Sequence, residues 1–548
     1  VTTDIQLAPG RPPAPPDADR VGRSGRLGAW VAGHTALTGA IAVIVLSYLV
    51  TRLIFIANFP YFYDEGLYAG WANGIAHSLH DLFIAETIGR EPLLSWAGAV
   101  LVKLGFAPLT AMRWVSMLAG LATIWVVGLL GRKLGGRATG IVAAGLCVVL
   151  PMFLVHDGIG IYEPLVTLIM AIALYVEVEL AERPSLRTGA VLGVVFAAAL
   201  LTKENTIPVI VLLPLSLVCF DFSREGRGRR VKLWLGAVTI SLLGVVLAEV
   251  LLRSSGYWAT YEAVRKSPLY TVRSISNVLN YPFNLFTQDA WRVFRQTMTG
   301  YVTWPLLLIG VAGTVLALRR RLRLTLVYLA WAIVPTLGAI FFTTYPFPRH
   351  FMSSLPPFLV LIAYAAALGW QWVSARSWRA PGRIVYAAVG VLALVPALVF
   401  DGRVLAHPGT VRYPSFDDWQ YVTGFPAGSP WPKVAEVIRR RGVGSRVVII
   451  HPNADPTIVA DLLGNGPRYV FTTGDQPLGK RAQFAFTETK GGLFDQGGMA
   501  VVRDQHFVEV GRFVRPRPCG SPRPRYSDRC PPGGNTVVLY ERPGLSGT

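Results

Sequence analysis

Apolar runs separated by short polar or basic connections occupy most of the chain, and the length of each run is that of a bilayer crossing. Such runs lie near 37–57, 114–131, 138–156, 162–180, 187–202, 206–220, 232–252, 301–318, 324–342, 351–373 and 384–400. They predict about eleven transmembrane helices. The run at 37–57 is too long for the apolar part of a signal peptide and no small-residue cleavage site follows it, so it is expected to remain as an anchor. Beyond 400 the pattern changes. SRVVIIHP (445–452), RYVFTT (468–473) and NTVVLYE (535–541) read as short strands, and 431–441 reads as a helix. The expected fold is mostly α: a disordered tail over 1–34, a polytopic helical membrane domain over 35–400 with a long first loop at 58–112, and a small soluble α/β domain over 401–548.

Composition agrees with lipid as part of the solvent, since 52% of the 548 residues are hydrophobic, 15% are charged and the mean hydropathy is +0.44. A net charge of +20 alone would suggest nucleic acid as partner. Its distribution argues otherwise, because RKLGGR (132–137), AERPSLR (181–187), SREGRGRR (223–230), RRRLR (319–323) and SARSWRAPGR (374–383) fall on every second connection. That alternation places these loops and the N-terminal tail in the cytoplasm of a cell whose plasma or inner membrane the chain spans. No basic-aromatic module for nucleic acid appears. The opposite, extracytoplasmic face then receives 58–112, the turns at 156–163, 202–206 and 343–350, the loop 253–300, and everything after 400. Cys147 and Cys219 lie in apolar runs, whereas Cys519 and Cys530 share a polar, Pro-rich segment and are either a disulfide or free thiols. No phosphate-cradling glycine loop, HExxH or paired CxxC pattern is found, so no nucleotide is expected on this chain.

Ionisable residues crowd the extracytoplasmic face, where charge beside lipid is costly and points to function. In YFYDEGLYAGWANGIAHSL (61–79), Asp64 and Glu65 follow the first span and precede an amphipathic stretch with Tyr68, Trp71 and Ile75 at helical spacing. Such an acidic pair suits a general base or a hard divalent cation; alternatively Asp64 caps the interfacial helix. Asp157 and Glu163 share the turn before the fourth span, where Glu163-Pro164 also reads as a helix start. Lys203 can meet a phosphate as a point charge, or snorkel with Glu204 as its partner. Arg349 suits bidentate phosphate contact, with His350 beside it. Arg52, inside the first run, either snorkels or finds an anion, a donor phosphate included; snorkelling is the preferred expectation. The loop 253–300 carries Tyr257, Trp258, Tyr261, Tyr281 and Trp291, an interfacial composition.

The same segments, in the same order over roughly 37–400, resemble membrane glycosyltransferases of the GT-C class. An Asp-Glu pair after span one is their hallmark. REPLLSW (90–96), with Arg90, is similar to the K/R-x-P-P-L-x-x-W element of the protein O-mannosyltransferases and the lipid A aminoarabinose transferases, although Glu91 stands where proline is frequent. Arg113 opens the next span as their R-L-P-S-like segment does. HDGIGIYEPLVTLIMAIALY (156–175) looks like their D-P-L-L-T-F element, LLTKENTIP (200–208) like their L-t-K-G/E element, and YPFPRHFMSSLPP (345–357) like their R-Y-x-x-P-x-x-P element.

The resemblance implies a polyprenyl-phosphate sugar as donor, a cell-envelope acceptor (lipid, polysaccharide or protein hydroxyl), Asp64 as base and inversion at the anomeric carbon. It implies a second acidic residue, either Asp157 or Glu163, and a phosphate site at Lys203 and Arg349. A divalent cation (Mg, Mn or Zn) held by Asp64, Asp157 and Glu163 is a further expectation. A transporter or flippase of a lipid-linked saccharide is the competing class; it predicts charge at mid-membrane in repeated halves, and only Glu249 in span seven resembles that.

Overall fold

A computed structural model describes residues 35–267, 275–280, 289–343, 346–376, 379–424, 426–450, 457–464, 468–472, 477–488, 502, 504–517 and 536–543. Cys519, Cys530 and Tyr281 lie outside these residues. Nine of the eleven apolar runs lie in helices or bent helix pairs that are, among the described residues, long and apolar enough to cross a membrane. Seven are single helices long and apolar enough to cross: Leu37–Asn58, Pro108–Gly135, Tyr162–Glu182, Arg227–Arg253, Leu322–Phe342, Pro348–Ser374 and Ala380–Ala406. Two are bent pairs, Arg137–Val149 with Pro151–Asp157 at 60° and Ala290–Val302 with Trp304–Arg320 at 97°. The run expected at 187–202 is the 17-residue helix Leu186–Thr202. The run expected at 206–220 is no continuous helix but the short pieces Glu204–Thr206, Pro208–Val211 and Leu213–Cys219, because Pro208 and Pro214 each remove a backbone donor and clash with the preceding turn. The chain is a multi-pass membrane protein.

Contacts among the basic connections bear on their expected alternation. Lys133 bonds Glu179 at 2.7 Å and Glu182 at 2.6 Å, and Arg230 reaches the Glu182 carbonyl at 3.0 Å. Tyr328 donates to the Leu130 carbonyl at 2.9 Å. Four basic connections therefore gather at one end of the bundle. Glu249 lies at the other end in an exposed pair with Arg253 at 2.7 Å, an ordinary i,i+4 contact rather than mid-membrane wiring.

The long first loop is itself folded, as α1 (Tyr63–His77), a 3-10 segment over Leu79–Ile88 and α2 (Leu93–Lys103). The last helix extends to Ala406, six residues past the expected boundary, and residues 407–424 and 426–430 form a strap that contacts both parts, through Tyr301 on Asp417 and through Arg517 on Asp418. The strap pairs Phe62 with Ala427 as a β-bridge, and Gly428 donates to the Tyr61 carbonyl at 2.7 Å. The soluble domain then carries α3 (Trp431–Arg441), α4 (Thr457–Leu462) and five strands, β1 (Val447–Ile450), β2 (Tyr469–Thr472), β3 (Phe484–Glu488), β4 (Val508–Val514) and β5 (Thr536–Glu541). Their order is β2-β1-β3-β5-β4, with β1 parallel to β2 and β3, and β5 antiparallel to β3 and β4. Ile458 of α4 seats on Gly66 of α1, where an added Cβ would approach its Cγ1 to 2.5 Å. The absent side chain at 66 is what lets the soluble domain dock on the first-loop helix.

Candidate active site

Helix α1 begins after Phe62, whose backbone is extended, and Glu65 accepts the Phe62 amide at 2.9 Å. Glu65, not Asp64, therefore does the capping. The rest of the Glu65 carboxylate is also taken up: Arg113 donates from Nε at 3.0 Å and from Nη2 at 2.5 Å, and the Gly160 amide at 3.1 Å. Fully buried and with both oxygens bonded, Glu65 is held by Arg113 and the Phe62 and Gly160 amides rather than joined to Asp64. Asp64 points elsewhere.

Arg349, in the 3-10 turn Pro348–Ser354, reaches Asp64 Oδ2 from Nη2 at 2.9 Å and faces Glu163 from Nε at 3.5 Å. Lys203 bonds Glu163 Oε1 at 2.7 Å, and His350 Nε2 stands 3.9 Å from the same oxygen. Local rules explain why these groups sit at chain breaks. Glu163 is in the first turn of Tyr162–Glu182 and Lys203 is the C-cap of Leu186–Thr202, so each complements its own helix dipole while meeting the other. Arg90 lies close enough for its charge to act on Asp64 and Lys203. Two carboxylates thus face three cations. Tyr68, one helical turn beyond Asp64, sets its ring edge-on to Tyr162 at 4.9 Å and walls the cluster. Burial raises the Asp64 carboxyl above its ordinary range, and Arg349 opposes that shift.

Other expectations separate from this cluster. Asp157 is buried in the membrane domain, where it accepts from Tyr48 at 3.2 Å and pairs with Arg52 at 3.7 Å. Arg52 also donates to the Val148 carbonyl at 2.7 Å and the Cys147 carbonyl at 3.1 Å. It neither snorkels nor joins the cluster around Arg349, because a buried guanidinium finds its anion within the bundle. Between the two acidic alternatives, the structure brings Glu163 to Asp64 and leaves Asp157 apart. Glu204 turns from Lys203 to Arg265 at 2.7 Å. Arg265 also bonds Tyr261, and Tyr261 donates to Glu91 Oε1 at 2.9 Å, so residues 253–267 clasp the first loop beside the site. Trp291 is exposed, as an interfacial anchor would be.

The three carboxylates expected to share a divalent cation do not form one cation site. Asp64, Asp157 and Glu163 do not converge; Arg349 stands between Asp64 and Glu163, and Lys203 takes the nearer Glu163 oxygen. Among the described residues no group of three or more His, Cys, Asp or Glu could hold a metal.

The clasp has a pH signature. Burial pushes the Glu91 carboxyl up to about 7, with nearby Glu204 adding to the shift, and burial pushes Glu86, which accepts from Ser255, up to about 7. A carboxyl raised in the folded state favours folding fully below its unfolded value of about 4.3, and this contribution is lost as pH rises towards 7. Thermal unfolding in detergent is expected to show lower stability at pH 7.5 than at pH 5. Glu86→Gln and Glu91→Gln together should flatten that difference; an unchanged slope would refute the assignment.

Gln420, Asp417 and Tyr421 were not singled out from sequence. Gln420 Oε1 accepts from Arg349 Nη1 at 2.5 Å, reaching the site from the strap. The only local signal was the acidic and aromatic run FDDWQY (416–421) past the last span.

The model of the dolichyl-phosphate-mannose-protein mannosyltransferase family matches residues 90–250. No curated protein sequence matches the chain. Among solved structures, apo ArnT from Cupriavidus metallidurans is 16% identical with TM-score 0.54, covering 92% of this chain and 98% of that one. The ArnT structure bound to undecaprenyl phosphate gives 15% and 0.56 over the same shares. The apo Archaeoglobus fulgidus oligosaccharyltransferase gives 12% and 0.52, covering 87% of this chain and 73% of that one. The chain has the GT-C fold and resembles the ArnT and protein-mannosyltransferase type of membrane glycosyltransferase.

Proposed function

We propose that this chain, folded as a GT-C glycosyltransferase, moves a sugar from a polyprenyl-phosphate donor to a hydroxyl of a cell-envelope acceptor on the extracytoplasmic face of the inner membrane. The observation that carries this reading is the cluster itself: a carboxylate, Asp64, held against Arg349 within a largely buried group of cations. The family match and the undecaprenyl phosphate bound by ArnT support a lipid-phosphate donor. The positive-inside rule supports the face.

In the proposed reaction the donor enters from the bilayer and its phosphate meets Arg349 and Lys203. Asp64 accepts the proton of the acceptor hydroxyl. The acceptor oxygen attacks the anomeric carbon from the side opposite the phosphate, the carbon–oxygen bond to phosphate breaks with its electron pair leaving on phosphate, and configuration inverts. Charge on the departing polyprenyl phosphate develops beside fixed cations, so electrostatic stabilisation is the largest catalytic contribution. Guanidinium and ammonium groups supply it, and no step needs a metal. Turnover is expected to persist in EDTA; loss on chelation, restored by Mg²⁺ or Mn²⁺, would overturn the metal-free form of the mechanism.

The test uses purified protein in lipid with a panel of labelled polyprenyl-phosphate sugars and envelope extract. Release of polyprenyl phosphate that requires an acceptor is the expected result. No release from any donor, with movement of a lipid-linked saccharide across the bilayer, would replace this reading with transport.

A further inference from the structure

Gln420 is 3% exposed and sits in the turn Trp419–Thr423 of the strap that follows the last span. That turn is fixed on several sides. Asp417 is buried and accepts from Tyr301 at 2.6 Å, with His156 Nε2 at 3.2 Å. Asp418 accepts from the Tyr413 amide at 3.0 Å and from Arg517 of the soluble domain at 2.5 Å. The Tyr421 ring lies edge-on to Phe59 at 5.6 Å and Phe62 at 5.2 Å. A side chain held this firmly, bonded to a guanidinium at the centre of a charged cluster, fixes where that guanidinium points.

We propose that Gln420 is a positioning residue that orients Arg349 towards the donor phosphate without neutralising it; this rests on the transferase reading above. The chemical type supports the assignment. Arg349 already faces two carboxylates, Asp64 and Glu163, and a third would cancel the positive charge an incoming phosphate needs. A neutral amide oxygen gives the same directional hold and leaves that charge intact. The strap therefore couples the soluble domain, through Arg517 and Asp418, to the geometry of the phosphate site.

The test is equilibrium binding of undecaprenyl phosphate to the full chain in lipid nanodiscs, which needs no turnover. Gln420→Met, close in size but lacking the acceptor, is expected to bind about ten-fold more weakly, the loss of one hydrogen bond to a charged group. In an Arg349→Met background the same substitution is expected to have no further effect, which a merely structural role would not produce. Should Gln420→Met unfold, Gln420→Asn keeps a buried amide of shorter reach and is expected to show the same pattern. Wild-type affinity in these variants, or an equal loss in both backgrounds, would overturn the positioning role alone. A wild-type chain that does not bind undecaprenyl phosphate would overturn the donor reading and this inference with it.

Discussion

Replacing Asp64 with asparagine is expected to lower turnover by about 10²–10⁴-fold, the usual contribution of a general base, while the protein folds and binds undecaprenyl phosphate at least as well as the wild type. Asparagine keeps an oxygen for Arg349 Nη2, now 2.9 Å from the carboxylate, but cannot take the acceptor proton. Removing one negative charge beside Arg349 also leaves the guanidinium freer to meet phosphate. Single-turnover release of polyprenyl phosphate, with thermal unfolding measured alongside, separates the two effects. Near-normal release from a well-folded Asp64→Asn protein would remove Asp64 as the base.

The neighbouring carboxylate should behave in the opposite way. Arg113→Met leaves Glu65 buried without its bidentate cation and also removes donors to the Ile56 carbonyl at 2.9 Å and the Phe59 carbonyl at 3.3 Å. Breaking a buried pair by removing one partner costs about 3–5 kcal/mol, so this variant is expected to unfold well below the wild-type temperature. Glu65→Gln, which keeps acceptor capacity and is uncharged, should lose less. An Arg113→Met protein with unchanged thermal unfolding would show that the Glu65 anchor does not hold α1 in place. Adjacent in sequence, Asp64 and Glu65 are thus expected to separate in these measurements, one by rate and the other by stability.

Several features of the fold were legible without coordinates because they rest on local free energies. Transfer of a side chain into lipid depends on that residue and its immediate neighbours, so ten of the eleven apolar runs appear as helices or bent helix pairs where the hydropathy places them. The 206–220 run failed for an equally local reason, its two prolines, which composition alone does not weigh. In the soluble domain β1, β2, β5 and α3 follow alternation and periodicity, while β3 and β4 gave weaker signals and were missed.

The candidate site divides along the same line. Residue types and their order were enough to bring Asp64, Glu163, Lys203 and Arg349 forward together. Pairing was not, because an ion pair is chosen by the fold between residues far apart in the chain. Asp64 and Arg349 are separated by 285 positions and Gln420 and Arg349 by 71, and no periodicity links them. Sequence by itself determined that this is a polytopic membrane protein with a charged cluster among its interhelical turns, since bilayer insertion acts segment by segment. Only the tertiary structure decided that Asp64 faces Arg349 while Glu65 bonds Arg113, that Asp157 belongs to Arg52, and that a strap beyond the last helix brings Gln420 to Arg349. Burial forces each charge to find its partner in three dimensions, and that choice is made by packing.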